Sequence, residues 1–396
     1  MSIYNAALAG EVDPITYYEV SNQLARLKNQ TLGEYYIQMV EFHKSMAEFY
    51  GYDNYGDYAY ENLYERDYTQ AEIRSFHAAV KTYIVPVLAL VEELYYNDLD
   101  DGTLSEDVVY ADYTGDVALD MMEPYLKKMS SELVESFTYM REHGFYDTGY
   151  SETKSQGGFT TALDYWGAPF FYNCPNGNLY DFNTAVHEFG HYNDMFWQPM
   201  DMESESKNID ISEVHSQGME LLFSHWYPEL FGEAAEGVEH FMLYQLLSSV
   251  VEGCLYGELE QYVYATDNVT LSQINREYRR LCGEYGMVEP GDPRAELYSW
   301  VDVPHLFVQP CYYISYAVSA AGAFSFWLEA QTEDYYTALD NYLTFTALPA
   351  SSGFSESFEA VGLEKPYSYQ YVKELGQALL RSLLGLDEML DYEVMV

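Results

Sequence analysis

Apolar residues recur three and four positions apart along most of the chain, the spacing of one buried helical face. Thr31–Tyr50 shows this spacing, and so do Thr69–Tyr95 and Val117–His143. Thr69, followed three residues later by Glu72, has the form of a capping box and starts the second of these runs. The acidic stretch Tyr96–Asp107 reads as a plain loop. Leu99 and Val108 stand where a calcium loop of the EF-hand type needs oxygen ligands. The texture changes at GGFTTALDYWGAPFFYN, Gly157–Asn173. Its Thr and aromatic residues flank Trp166-Gly167, which predicts one or two strands with a turn at that dipeptide. CPNGN, Cys174–Asn178, is a further turn, and Asp181 or Asn183 is placed to cap the helix that follows. From Ile211 the pattern is helix after helix, with breaks near Gly232, Asp267, Gly286–Pro293, Pro349–Gly353 and Pro366. The expectation is a mainly α protein with one small sheet placed directly before the helix that holds NTAVHEFGHYNDM, Asn183–Met195. No repeat or linker interrupts it. Residues 1–396 read as a single unit, with 1–150 as a helical N-terminal part and 151–396 as the part that holds this stretch.

Composition agrees with a folded globule, and charge narrows its partners. Of 396 residues 48% are hydrophobic and 21% charged, enough for one large domain or two lobes. The 64 acidic residues against 18 basic ones give a net charge of −46. Such a field repels nucleic acid and anionic membrane surfaces, and it favours cations and basic or neutral peptides. The 43 tyrosines each offer an apolar ring and a hydroxyl, which suits half-buried positions along a polar groove. Cys174, Cys254, Cys282 and Cys311 form no C-x-x-C pair, so reduced, buried thiols are expected rather than a cysteine metal site. There is no apolar run of membrane-spanning length and no signal-peptide pattern, so a cytoplasmic location is expected for the chain as it stands, or export if the N-terminus has been trimmed.

Three stretches carry candidate chemistry. In HEFGH, His187 and His191 lie one helical turn apart on the same face, which suits two ligands of one zinc ion. The alternative is an amphipathic helix with two chance histidines. Glu188 sits beside the first histidine, where a carboxylate can take the proton of a water whose pKa a metal has lowered. Zinc needs a third protein ligand, and Glu213 in ISEVHSQGMELL, Ile211–Leu222, is the candidate. A polar loop, Gln198–Asn208, leaves room for that second helix to run antiparallel to the first. Glu220, two turns beyond Glu213, is placed to orient a ligand imidazole by a hydrogen bond. His215 competes for the metal but falls on another helical face. In PHLFVQPCYYISYAVSAA, Pro304–Ala321, His305 is expected in a loop before a helix starting near Pro310, with Tyr313 and Tyr316 on one face of that helix and Tyr312 beside them. An imidazole or a phenol of this group can stabilise an oxyanion.

The three stretches, in this order, resemble the thimet oligopeptidase and oligoendopeptidase F family of zinc peptidases. EVHSQGME matches the family's second motif through Glu213, Ser216 and Glu220. PHLFVQPCYYISYA matches the third through Pro304, His305, Pro310, Tyr312 and Tyr316. Tyr60–Pro86 and Gly157–Asn173 agree as well, so the resemblance covers roughly residues 45 to 385. It implies a helical clamshell with a deep central channel and a small sheet beside the HExxH helix. It implies one zinc per chain on His187, His191 and Glu213, with Glu188 as general base and acid. It implies that His305 and Tyr316, with Tyr313 or Tyr312, contact the substrate carbonyl and the oxyanion. It further implies that Gly157–Phe171 offers a strand edge to an extended peptide. The expected activity is internal cleavage of short peptides. The rivals are a helical HExxH metallocarboxypeptidase and a peptide-binding homologue without catalysis. Two residues depart from the family's pattern: Asp194 stands where a further histidine is usual, and His215 replaces a small residue. The chain is also shorter than is usual in the family, which leaves the limits on substrate length open.

Overall fold

The computed structural model describes residues 12–198, 209–288, 298–349 and 351–386. The polar loop expected after Gln198 lies outside them, as does most of the break expected over 286–293.

In chain order the longer elements are α1 (Pro14–Phe49), α2 (Gln70–Tyr83), α3 (Val85–Asp101), α4 (Val117–Met129), α5 (Ser131–His143), β1 (Tyr146–Asp147), β2 (Gly157–Leu163) and β3 (Ala168–Cys174). They continue with α6 (Leu179–Trp197), α7 (Ile209–Phe223), α8 (Ala235–Ala265), α9 (Leu271–Glu284), α10 (Ile314–Thr332), α11 (Tyr335–Thr346), α12 (Phe354–Ala360) and α13 (Tyr369–Leu384). The capping box at Thr69 and Glu72 forms as read. The single run expected over 69–95 is two helices, because Pro86 breaks the hydrogen-bond ladder and the chain turns at Ile84. Of Tyr96–Asp107 only 102–105 is loop, since a short helix, Glu106–Val109, follows. α3 runs on to Asp101 and ends at Gly102, whose φ of +84° suits a residue without a Cβ. α1 begins well before Thr31 and is capped by Asp13, whose side chain accepts from the amides of Ile15 and Thr16 at 3.1 and 3.0 Å. In its first half Val20, Leu24 and Leu27 stand at helical spacing but are exposed.

The chain forms two compact units, Met1–Leu63 with Cys254–Ile314 and Tyr64–Gly253 with Ser315–Val396. In the first, α1 packs on α9. Tyr36 is fully buried against the rings of Trp300 and Phe307, at 5.1 and 5.3 Å. The side-chain amides of Asn29 and Asn275 exchange hydrogen bonds of 2.9 and 2.8 Å between these helices.

In the second unit β2 and β3 form the expected hairpin, antiparallel from Gly157↔Cys174 to Leu163↔Ala168, with the turn at Asp164–Gly167. The strand order β1-β3-β2 leaves β2 at one edge of the sheet. α6 lies against this sheet on one side and against α7 on the other. Its core-facing residues include Phe182, Phe189 and Tyr192, and those of α7 include Val214, Met219 and Leu222. α7 is anchored at its start by a buried ion pair. Arg66 Nε donates to Asp210 Oδ2 at 3.0 Å, Tyr68 donates to the same oxygen at 2.7 Å, and Ser315 Oγ accepts from Arg66 at 2.8 Å. Desolvating two charges is costly unless their partners remain in place. Arg66→Ala is therefore expected to lower the unfolding free energy by about 3–5 kcal/mol, read by denaturant titration. A loss below about 1 kcal/mol, the worth of an exposed pair, would contradict this.

No helix among the described residues is long and apolar enough to cross a membrane. All four cysteines are buried and none forms a disulfide.

Candidate metal centre

α6 starts at Asn178 rather than at Asp181 or Asn183. The Asn178 side chain accepts from the Tyr180 amide at 3.0 Å. Asp181 instead gathers the amides of Asn176, Gly177 and Asn178 at 3.0, 2.6 and 2.9 Å, so the loop after β3 closes tightly onto the helix. That start fixes the direction in which the HEFGH face looks.

His187 and His191, four residues apart, turn their rings toward α7, with centroids 5.0 Å apart. Glu213 on α7 meets both, its Oε2 lying 3.3 Å from His187 Nε2 and 3.6 Å from His191 Nε2. One ligand atom from each of the three lies within 4.8 Å of the others. Two imidazole nitrogens and one carboxylate oxygen converging in this way are a donor set that could hold a metal ion such as zinc. Cobalt or manganese would fit the same donors. The surroundings also suit a metal. His187 Nδ1 is 2.7 Å from Glu220 Oε1, which selects the tautomer that leaves Nε2 for the ion. Glu220 is itself held by Asn183 Nδ2 at 2.6 Å, and Ser216 Oγ donates to Glu213 Oε2 at 3.1 Å.

α6 and α7 approach closely enough for this only because position 190 has no side chain. A Cβ on Gly190 would stand 2.7 Å from the His215 carbonyl oxygen and 2.7 Å from Ser216 Cα. Glu188, buried beside the histidines, points to the sheet. Thr160 on β2 donates to Glu188 Oε2 at 2.8 Å and to its carbonyl at 3.0 Å. A Cβ on Gly158 would sit 3.4 Å from Glu188 Oε1, so the strand backbone also comes close to this carboxylate. Thr160→Val removes the donor while keeping the shape. It is expected to lower turnover roughly tenfold, the worth of one hydrogen bond to a charged group, without changing bound metal. Unchanged turnover would show that Thr160 does not position Glu188.

The two departures from the family's pattern are one contact. His215 Nε2 on α7 lies 3.4 Å from Asp194 Oδ1 on α6, the histidine buried and the aspartate half-buried. His215 thus pairs with Asp194 and is not among the three converging donors. Burial lowers the His215 pKa, against the pull of Asp194. Burial raises that of Asp194, against the histidines nearby.

In the metal-free centre burial by itself would lower the His187 pKa, but Glu213 and Glu220 outweigh it and hold the imidazole well above its usual value. Burial would raise Glu213, but His187 and His191 hold it well below the usual carboxylate range. A raised histidine contributes stability that is complete below its unfolded value of about 6.5 and fades as pH rises through the folded one. Chelator-stripped protein is therefore expected to lose thermal stability as pH climbs above about 6.5. The gain on adding zinc should grow over the same range, because metal and proton compete for His187. A zinc-induced shift in Tm that shrinks with rising pH would contradict this.

The aromatic stretch is divided. His305, Tyr312 and Tyr313 belong to the first unit, Tyr316 to the second. His305 is the first residue of a short helix, His305–Val308, not a loop residue. It stacks on Tyr312 at 5.4 Å and meets Tyr313 edge-on at 5.5 Å; burial lowers its pKa. Because α10 starts at Ile314, Tyr313 precedes the helix and does not share a helical face with Tyr316, which lies in its first turn. Pro310 and the positive φ of Cys311 (+65°) delay the helix.

No protein-family profile matches the sequence, and a search of curated proteins found no match. Solved structures do match. PZ peptidase A with an inhibitor is 23% identical, with a TM-score of 0.75, over 91% of this chain and 67% of that one. A protein named as an oligoendopeptidase F is 24% identical, with a TM-score of 0.76, over 94% and 67%. One of the same name from Bacillus anthracis is 21% identical, with a TM-score of 0.72, over 94% and 66%. The chain thus spans about two thirds of the length of these structures. At these identities the likeness establishes the fold: mainly α, with the small sheet beside the HExxH helix, as in the oligoendopeptidase F structures.

Proposed function

We propose that the chain is a zinc-dependent metalloendopeptidase of the oligopeptidase type, which hydrolyses internal bonds of short peptides with one zinc per chain. The observation that carries this reading is the convergence of His187, His191 and Glu213, with the Glu188 carboxylate held beside them by Thr160. His187, His191 and Glu213 would hold the zinc, which would supply polarisation of the scissile carbonyl and a water of pKa lowered toward about 7. Glu188 takes the proton from the attacking water and returns it to the leaving amine. Glu220 keeps His187 oriented, and Asn183 keeps Glu220 in place. The outer edge of β2 aligns an extended peptide by backbone hydrogen bonds. Tyr316 donates its phenol proton to the developing oxyanion. For His305, Tyr312 and Tyr313 in that role, the support is the order of the motifs along the chain.

The test is metal content together with cleavage of an internally quenched peptide with blocked ends. About one zinc per chain and internal cleavage support the reading. Cleavage only of peptides with a free C-terminus would favour a carboxypeptidase. Bound zinc without cleavage of any peptide would favour a peptide-binding protein, and no metal at all would remove the basis of the proposal.

A further inference from the structure

The first unit contains an open cleft of about 720 Å³ between α1 and α9, lined also by Tyr298. In a chain with 64 acidic and 18 basic residues, its lining holds three arginines, Arg26, Arg276 and Arg279, and no carboxylate among the described residues. The remaining polar lining is made of amides, a hydroxyl and a phenol, all able to donate. Arg276 and Arg279 are three residues apart on α9, so their guanidinium groups leave the same face of that helix, toward Arg26 on α1.

Arg276 and Arg279, both exposed, differ from the next arginine of their helix. On the same helix Arg280 is paired with Glu258, Glu277 and Glu284. Among the described residues neither Arg276 nor Arg279 meets a carboxylate, although acids outnumber bases more than threefold. The walls are fixed in advance. The paired amides of Asn29 and Asn275 join the helices, and the Trp300 indole donates to Asn275 Oδ1 at 2.9 Å. Gly33 leaves Leu271 directly against α1, where a Cβ would come within 2.5 Å. The helix backbones that carry the arginines are therefore held in place before any ligand arrives.

We infer that this cleft is a binding site for a small oxyanion ligand, a phosphate or carboxylate group held by the guanidinium forks of Arg276 and Arg279. Planar guanidinium groups match such anions two bonds at a time. The net charge of −46 does not prevent this. At physiological salt the screening length is about 8 Å, and the α9 carboxylates Glu277 and Glu284 are already paired with Arg280. The inference is independent of the peptidase reading.

Calorimetric titration of the full chain with pyrophosphate, and separately with citrate, at constant ionic strength tests it. Saturable binding of either is expected at millimolar concentration or below. Arg276→Gln and Arg279→Gln should each weaken it roughly tenfold, the usual loss for a charge-assisted bond. Arg276→Lys should fall between, since it keeps the charge and loses the fork. Lys127→Gln, which removes a remote exposed cation, should bind as wild type does. Pyrophosphate alone binding marks the site as one for phosphates; both binding marks it as one for oxyanions in general. No binding of either, or binding that the arginine variants leave unchanged while their melting points match wild type, overturns the inference.

Discussion

Glu188→Gln is expected to leave folding and bound zinc intact while lowering kcat by about 10²- to 10⁴-fold, the usual contribution of a positioned general base. The substitution separates the two things this side chain does. As a neighbour of Thr160, glutamine still offers an oxygen to the hydroxyl that now donates to Glu188 Oε2 at 2.8 Å, so the tie between α6 and β2 survives. As a base it is inert, since an amide does not take a proton at neutral pH. Glu188 is not among the three converging donors, so metal stoichiometry should stay at the wild-type value. KM should change little, because the loss falls on the transition state rather than on substrate binding. Turnover and metal content measured on the same preparation decide it. A variant with full zinc and wild-type kcat would move the base elsewhere and remove the proposed mechanism. A variant that loses zinc would show that Glu188 is structural and leave its chemistry undemonstrated.

The parts of this centre legible in the sequence are those whose partners lie on one element. His187 and His191 are readable together because a helix places i and i+4 on one face. Thr69 with Glu72 is readable for the same reason, and so is the hairpin around Trp166-Gly167. Glu213 and Glu220 needed the resemblance as well, since nothing in the spacing alone singles them out among 64 acidic residues. What stayed hidden depends on contacts across the fold. Thr160 looks like any strand threonine, and only the register of β2 against α6 brings it to Glu188. Asp194 and His215 read as two separate departures until α6 and α7 pack and turn them into one contact. Arg66 and Asp210, 144 positions apart, leave no local signal at all. The helix starts were misplaced for a related reason. At Asn178 and Asp181 two residues share one cap, and at Ile314 the local backbone around Cys311 postpones a helix that composition would begin earlier.

Gly190→Ala should test whether the spacing of α6 and α7 sets the metal centre. On helix propensity alone alanine is favoured over glycine by about 1 kcal/mol, so an isolated α6 would gain. The surroundings reverse the sign. The new methyl would meet the His215 carbonyl oxygen and Ser216 Cα at 2.7 Å and Met219 Cβ at 3.1 Å. The nearest two of these are backbone atoms, so no rotamer change relieves the contact, and α7 must move away as a unit. Overpacking of this kind costs about 1–3 kcal/mol, which exceeds the propensity gain. The same movement carries Glu213, only two residues before His215, away from histidines whose nitrogens now lie 3.3 and 3.6 Å from its carboxylate. Metal–ligand bonds tolerate only about 0.2 Å. Zinc affinity is therefore expected to fall by about 10- to 100-fold, the range seen when the groups that position ligands are disturbed. Chelator competition gives the affinity, and thermal denaturation of the metal-free protein gives the stability. If the alanine variant is as stable as wild type and binds zinc as tightly, α6 and α7 have slack at this crossing, and close packing is not what brings Glu213 to His187 and His191.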